Sequence, residues 1–426
     1  MFYTDVLYID LNKIIVLMLI ARIWDAINDP IWGAFIDSRK PTKYGKFRPY
    51  ILWLSFPLAV GGILLFTKIP GLSETQYLLY AYITYIFYGM MYTGTNIPYG
   101  SLASVITDDE IERSDLSVFR SLGAGLGGLP AQIILPLIVF STSETGEKFL
   151  DERKLTPAVI VLAAASVIVY YLSFRFTKER VTSPAKPPKY NIDITLKVLV
   201  RNRAFIVLCA ASMMLIASQI YSQTLINYLF KDYFGNPKLF SLYTFATYGP
   251  MLLLVPFMGK LVKRFGKKEI CAWGMALSAF INIVLWLMKT ENPYIFLLMC
   301  LISGIGATFF VLEVWALVTD VIDYQEHLSG RREEGTSYAF FSFTRKLGQT
   351  IAGVLGVYAL NIIAYDAKNI TTEVVSKMYS VSTLVPAMMF GSIFILLNYL
   401  YPLGKSRLRH LHENEYAVAN PSESDA

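Results

Sequence analysis

Within the apolar stretch that opens the chain, Arg22, Asp25, Asn28 and Asp29 stand three and four residues apart or side by side. On a helix that spacing gathers them on one face. Two carboxylates and an amide oxygen on one face form a ligand set suited to a hard cation, because oxygen donors replace the ion's hydration shell. The same carboxylates can carry protons. The competing reading is a structural Arg–Asp pair that steadies a helix bundle. One arginine cannot neutralise both acids, which weighs toward function. Further along, Lys346 lies in the run Phe343-Thr344-Arg345-Lys346-Leu347-Gly348. A lysine at membrane depth needs an acidic partner or a polar cavity, and Asp25 or Asp29 are candidate partners. Asn96, Arg120 and Glu313 are further polar groups in apolar surroundings. Arg120 could instead reach along its helix to the cytoplasmic interface, and Glu313 has no assigned role.

These side chains must be positioned by membrane helices. The chain has 426 residues, of which 54% are hydrophobic and 16% charged. Soluble domains carry about 25% charged residues. A membrane helix needs about 20 mostly apolar residues. Eleven such stretches occur, near 12–37, 48–67, 76–100, 118–140, 156–176, 204–229, 240–262, 270–289, 293–319, 338–363 and 380–402. That number rules against the core helices of a soluble protein. The expected fold is an all-α polytopic membrane protein.

The net charge of +6 does not mark a nucleic-acid binder, because the basic residues sit in short loops between apolar stretches. Arg39 to Arg48, the segment from Arg175 to Arg203, Lys260 to Lys268, and the tail with Lys405, Arg407 and Arg409 all fall on one side if the spans alternate. The positive-inside bias puts that side in the cytoplasm, with the C-terminus, and makes an inner-membrane, multi-pass location the expectation. Residues 177–203 contain Pro184, Pro187 and Pro188 and read as a cytoplasmic linker. The expected organisation is a bundle at 1–176, the linker at 177–203, a second bundle at 204–402 and a cytoplasmic tail at 403–426. Two pseudo-symmetric six-helix bundles are the plan of a large transporter class. The first bundle is one helix short, so residues 1–8 read as the last turn of a missing first helix.

Enzyme chemistry finds no support. His327, His410 and His412 lack metal-ligand spacing, and no nucleophile elbow or paired acid/base set is present. Cys209, Cys271 and Cys300 lie in apolar runs and read as small buried hydrophobes. The run Gly123-Ala124-Gly125-Leu126-Gly127-Gly128 suits close helix packing rather than phosphate binding. With no ATP-binding domain, uphill transport would draw on an ion gradient or potential. No cofactor is expected.

Several motifs then occur in order over nearly the whole chain: Ala21-Arg22-Ile23-Trp24-Asp25-Ala26-Ile27-Asn28-Asp29-Pro30, Tyr44-Gly45-Lys46-Phe47-Arg48-Pro49, Asn96-Ile97-Pro98-Tyr99, Asp320 to Tyr324, and Gly330-Arg331-Arg332-Glu333-Glu334-Gly335. Together they resemble the glycoside–pentoside–hexuronide:cation symporters of the major facilitator superfamily. The resemblance implies a major-facilitator fold, alternating access, and sugar uptake driven by Na+, Li+ or H+. By position, Asp25, Asn28, Asp29 and Thr93 match the family's cation site. Lys346 matches its membrane lysine, near both cation and sugar. Arg120 matches a sugar-site arginine, and Trp24 lies beside the site. Asn96 stands where a member of the family has an aspartate, and Gly100 where it has a tryptophan, so the pocket differs.

At the inner ends, Asp320, Asp323, Arg331, Arg332 and the basic 39–48 segment are expected to form gating charge pairs. The expected partners are a sugar or glycoside, a monovalent cation and the bilayer, with the chain a monomer. The other readings are a lysolipid or amphiphile carrier of the same fold, which an apolar lateral cleft would favour, and a non-transporting membrane sensor.

Overall fold

The computed structural model describes residues 2–129, 134–142, 148–181, 198–236, 239–330, 332–365 and 371–408. The first elements are α1 Leu11–Asp37, α2 Arg48–Leu65, α3 Glu74–Ser101, the short α4 Ala103–Ile106 and α5 Glu110–Leu129. There follow α6 Leu135–Val139, the strands β1 Phe140–Thr142 and β2 Lys148–Leu150, and α7 Glu152–Phe176. After the linker region come α8 Arg203–Tyr228, α9 Leu239–Tyr248, α10 Pro250–Leu254, α11 Met258–Phe265 and α12 Lys267–Met288. The series closes with α13 Pro293–Ser329, α14 Glu334–Ile362 and α15 Thr372–Ile395.

Every expected span contains helix, with three local differences. The stretch near 118–140 holds two helices, α5 and α6. The stretch near 240–262 is broken into α9, α10 and α11. Pro250 starts a new helix there, and Pro256 sits in a tight 3₁₀ turn at Val255–Phe257, since proline removes a backbone donor and clashes with the preceding turn. The third difference is a short antiparallel hairpin that pairs Phe140 with Leu150.

Seven helical segments among the described residues are long and apolar enough to cross a membrane. They are Arg48–Leu65, Glu152–Phe176, Arg203–Tyr233, Leu239–Phe265, Lys267–Met288, Pro293–Ser329 and Thr372–Leu400. Helices α1, α3, α5 and α14 are outside that set. These four carry Asp25, Asn28, Asp29, Thr93, Asn96, Arg120 and Lys346. The polar groups that make them candidates for chemistry also make them less apolar.

Contacts divide the chain into two compact units. One comprises Met1–Asp108, Gly123–Ile192 and Arg331–Phe343, and the other comprises Asp109–Leu122, Asp193–Gly330 and Thr344–Ala426. A division by chain order at 177–203 differs from this at two places, the start of α5 and the start of α14. Most of residues 177–203 and most of the tail lie outside the described residues.

In the first unit, Phe2, Leu7, Leu17, Tyr77 and Leu155 share an apolar core. Its polar counterpart is a buried charge cluster. The Lys46 ammonium lies 3.0 Å from Asp37 Oδ1 and 2.9 Å from Glu334 Oε2, and all three side chains are at most 6% exposed. Asp37 also accepts hydrogen bonds from the Gly335 and Thr336 amides at 3.1 and 2.8 Å. It thereby satisfies donors that the first turn of α14 leaves open. Glu179 does the same for α2, accepting from the amides of Lys46, Phe47 and Arg48 at 2.7–3.0 Å.

In the second unit, Phe230, Tyr243, Phe296 and Tyr379 belong to one apolar core cluster. Helices α12 and α13 approach closely at Gly274 and Gly306. A Cβ on Gly306 would lie 2.6 Å from Ser278 Oγ, and the backbone carbonyl of each glycine blocks a Cβ on the other. Small residues of this kind let membrane helices pack backbone to backbone.

Two outcomes are expected. Gly306→Leu should destabilise the second unit by about 1–3 kcal/mol, the usual cost of overpacking. Thermal unfolding in detergent reads this, and an unchanged midpoint would refute the close approach. Lys46→Met should cost about 3–5 kcal/mol, because it leaves the buried Asp37 carboxylate without its cation and Glu334 with Arg332 alone. Burial opposes the Lys46 charge, but Asp37 and Glu334 outweigh it and raise the pKa above its ordinary 10.5. A raised lysine pKa gives stability that is complete below 10.5 and is lost only as pH climbs through the higher folded value. The difference between wild type and Lys46→Met should therefore stay constant between roughly pH 6 and 9. A difference that shrinks across that range would contradict the charge assignment.

Candidate functional site

In the first unit the acidic face of α1 meets α3. Thr93 Oγ1 donates to Asp29 Oδ1 at 2.8 Å. Asp29 is 1% exposed and Thr93 2%. Asn28 is buried beside them, and its Nδ2 has no hydrogen-bond partner among the described residues. Asp25 is half-buried one turn away. A Cβ on Gly89 of α3 would stand 3.7 Å from Asp25 Oδ1, so the absent side chain leaves this carboxylate against the α3 backbone. Asp25, Asn28, Asp29 and Thr93 thus come together as two carboxylates, an amide and a hydroxyl. Hard monovalent cations and protons both use such oxygens. The side chain of Arg22 lies outside the described residues.

Trp24 is half-buried, and its indole Nε1 is a buried donor with no hydrogen-bond partner among the described residues. Asn96 is half-buried on α3, one turn beyond Thr93. Next on that face, Gly100 is covered by the ring of Tyr338 from the first turns of α14, which fills the space where a Cβ would stand. A tryptophan at position 100 would collide with that ring, so the aromatic group in this corner comes from α14 rather than α3.

In the second unit, a row of serines fastens the start of α5 to α13. Ser114 Oγ donates to Glu313 Oε1 at 2.6 Å, Ser117 to the Leu312 carbonyl, and Ser121 to the Val311 carbonyl at 3.1 Å. Glu313 is fully buried, and its other oxygen has no hydrogen-bond partner among the described residues. Arg120 lies over the ring of Trp315 at 3.7 Å, and Arg345 approaches the same ring at 4.8 Å. Arg345 also donates to Ser212 Oγ at 2.9 Å. Lys346 is half-buried beside Arg345 on α14, and therefore belongs to this unit. Stacking on an indole face stabilises a guanidinium, more so when water is excluded.

Of these residues, sequence reasoning missed Trp315, Arg345, Tyr338 and the serine row. The serines had a signal, the spacing 114, 117, 121 along one helical face.

The expected gating residues each sit in an ion pair, apart from Arg331, which lies outside the described residues. Asp320 bonds Lys267 at 2.6 Å, both nearly inaccessible. Asp323 pairs with Arg113. Arg332 bonds Glu334 at 2.8 Å and the Ser104 carbonyl at 3.0 Å. Asp320 and Asp323 thus find their cations on α12 and α5, whereas Lys46 is the member of the 39–48 segment that pairs with acids in the first unit.

The geometry is that of a helical membrane protein with buried ionisable groups, and known proteins resemble the chain in sequence and in fold. The chain is 34% identical over 408 residues to the uncharacterized symporter YjmB of Bacillus subtilis (strain 168), covering 94% of this chain and 86% of that protein. It is 30% identical over 413 residues to the putative glycoside/cation symporter YagG of Escherichia coli (strain K12), covering 96% and 87%. In fold it is similar to the major facilitator superfamily transporter FucP in the outward conformation. The TM-score is 0.63 at 15% identity, over 91% of this chain and 90% of that one. The family described as MFS/sugar transport protein matches residues 1–405. The chain belongs to that transporter family, with its all-α major-facilitator fold.

Proposed function

We propose that this chain is a secondary active symporter that carries a sugar or glycoside together with Na+, Li+ or H+ by alternating access. The observation that carries the reading is the buried Thr93–Asp29 hydrogen bond, set beside Asn28 and Asp25 on one helical face. Two acids at membrane depth are costly unless a cation or proton answers them. Asp25, Asn28, Asp29 and Thr93 are the proposed cation ligands. Trp24, Asn96, Arg120 and Lys346 are the proposed substrate residues, because donors and an indole face suit hydroxyl-bearing rings. The buried Trp24 Nε1 and the Arg120–Trp315 stack support this part of the reading. Asp320, Asp323, Arg331 and Arg332 are proposed to gate the inner side.

A bound cation offsets the buried negative charge and organises Asn28 and Thr93. Sugar and ion binding then reinforce each other, and linkage makes the reinforcement equal in both directions. The chain is proposed to act as a monomer in the inner membrane, with residues 177–203 and the tail in the cytoplasm. The basic bias of alternate loops supports that orientation.

Sugar affinity measured across Na+ concentration and pH tests the site. Asp29→Asn should abolish cation stimulation while leaving ion-free sugar binding nearly intact. Thr93→Val should weaken cation affinity by roughly five- to tenfold, the loss of one buried hydrogen bond of about 1 kcal/mol or slightly more. If both variants keep full cation stimulation, the carboxylates are structural and coupling occurs elsewhere. Orientation is read separately from a cysteine placed at Ser183. It should resist an impermeant thiol reagent in whole cells, and rapid labelling from outside would reverse the assignment.

A further inference from the structure

Helix α7 is the most exposed of the apolar segments, with only 6% of its most apolar window buried within the protein. Val161 is 67% exposed and Ile138 of the adjacent α6 is 48% exposed. Between the two helices runs a cleft of about 560 Å³. Its walls are apolar, from Ile134 and Ile138 on one side to Ala158 and Val161 on the other. Two cations, Arg153 and Lys154, line its mouth at the start of α7.

The cations are not equivalent. Lys154 donates to Ser141 Oγ at 2.9 Å and stands 4.0 Å from Asp151. The neighbouring acid Glu152 is taken by Lys68 at 3.0 Å. Arg153 is exposed and has no acidic partner among the described residues. This end of α7 is opposite Phe176, beyond which Glu179 joins the basic loop at Lys46. With Asp151 beside Lys154 and Glu152 beside Lys68, Arg153 is the cation left to face a ligand at this end of α7.

The cleft follows α7 from Arg153 to Leu162, nine residues or about 14 Å at 1.5 Å each. That is about half of a hydrocarbon core roughly 30 Å thick. A groove of one-leaflet depth, apolar along its length and cationic at its mouth, matches a single phospholipid. It stops at mid-membrane, so it offers a seat and not a path across.

We propose that the α6–α7 cleft binds one phospholipid with an anionic headgroup. The headgroup phosphate is held by Arg153, with Lys154 in support, and an acyl chain lies against Ala158 and Val161. The site is separate from the acids of α1 and from the cation and sugar residues. A lipid held there would brace α7, which has little protein around it.

The test reconstitutes the full chain in equimolar phosphatidylglycerol and phosphatidylcholine, then counts by mass spectrometry the lipids that copurify in mild detergent. Wild type should retain phosphatidylglycerol preferentially. Arg153→Gln should lower that preference by about fivefold, the effect of one cation near a charged lipid surface, and Arg153→Gln with Lys154→Gln should bring it to parity. Ala158→Trp fills the cleft while keeping both cations, and should also abolish retention. Sugar transport by each variant confirms that it is folded. Wild type with no headgroup preference, or variants that retain phosphatidylglycerol as wild type does, would overturn the proposal. So would retention by Ala158→Trp, because the headgroup would then be held without the cleft.

Discussion

A charge that leaves water for hydrocarbon must meet an opposite charge or a set of hydrogen bonds, or the helix that carries it cannot stay in the membrane. The architecture of this chain follows from that constraint. Lys46 meets Asp37 and Glu334, Lys267 meets Asp320, and Arg113 meets Asp323. Arg120 and Arg345 share the face of Trp315. Each of these links also joins separate segments of the chain, so answering the charges and fastening the helices are one event. A buried pair of this kind adds little net stability over a well-packed apolar contact, but losing one partner is severe. Register is therefore strongly enforced where the pairs occur.

The acids of α1 are held differently. Asp29 accepts a hydrogen bond of 2.8 Å from the neutral hydroxyl of Thr93, and Asn28 offers an amide beside it. A hydroxyl and an amide beside a carboxylate fix its position by hydrogen bonding, as a coordinating site requires. The ion pairs at the helix ends instead fasten one segment of the chain to another.

Much of this could be read from the sequence, for identifiable reasons. The α1 face was legible because three- and four-residue spacing fixes direction on a helix whatever the tertiary structure. The helices were legible because apolar length is a strong signal at membrane thickness. Thr93 carried no such signal, since a threonine among Tyr92, Gly94 and Thr95 looks like any other small polar residue, and only its resemblance to a family motif singled it out. Trp315 and Tyr338 were not legible because their roles depend on which helices lie opposite, which spacing within one helix does not encode. Lys267 and Arg113, which pair with Asp320 and Asp323, were not legible for the same reason. Like the break at Gly249-Pro250 and Pro256, the hairpin at Phe140–Leu150 has local causes. A length-based reading of spans passes over such features.

The division between seven apolar segments and four polar ones also bears on how the chain enters the membrane during synthesis. Helices α1, α3, α5 and α14 hold the candidate cation and substrate residues, and a lone charge at a helix centre costs roughly 2.5–3.5 kcal/mol when a segment partitions from the insertion machinery into lipid. Each is next to a strongly apolar segment in the chain: α2 lies between α1 and α3, α7 follows α5, and α13 and α15 flank α14. The apolar segments can partition first and alone. The polar ones then gain an apolar neighbour in the chain: α3 and α14 follow one that has already been made, and α1 and α5 are followed by α2 and α7. The order of helices along the chain thus bears on biogenesis, since each segment that carries the candidate chemistry has an apolar segment beside it in the sequence.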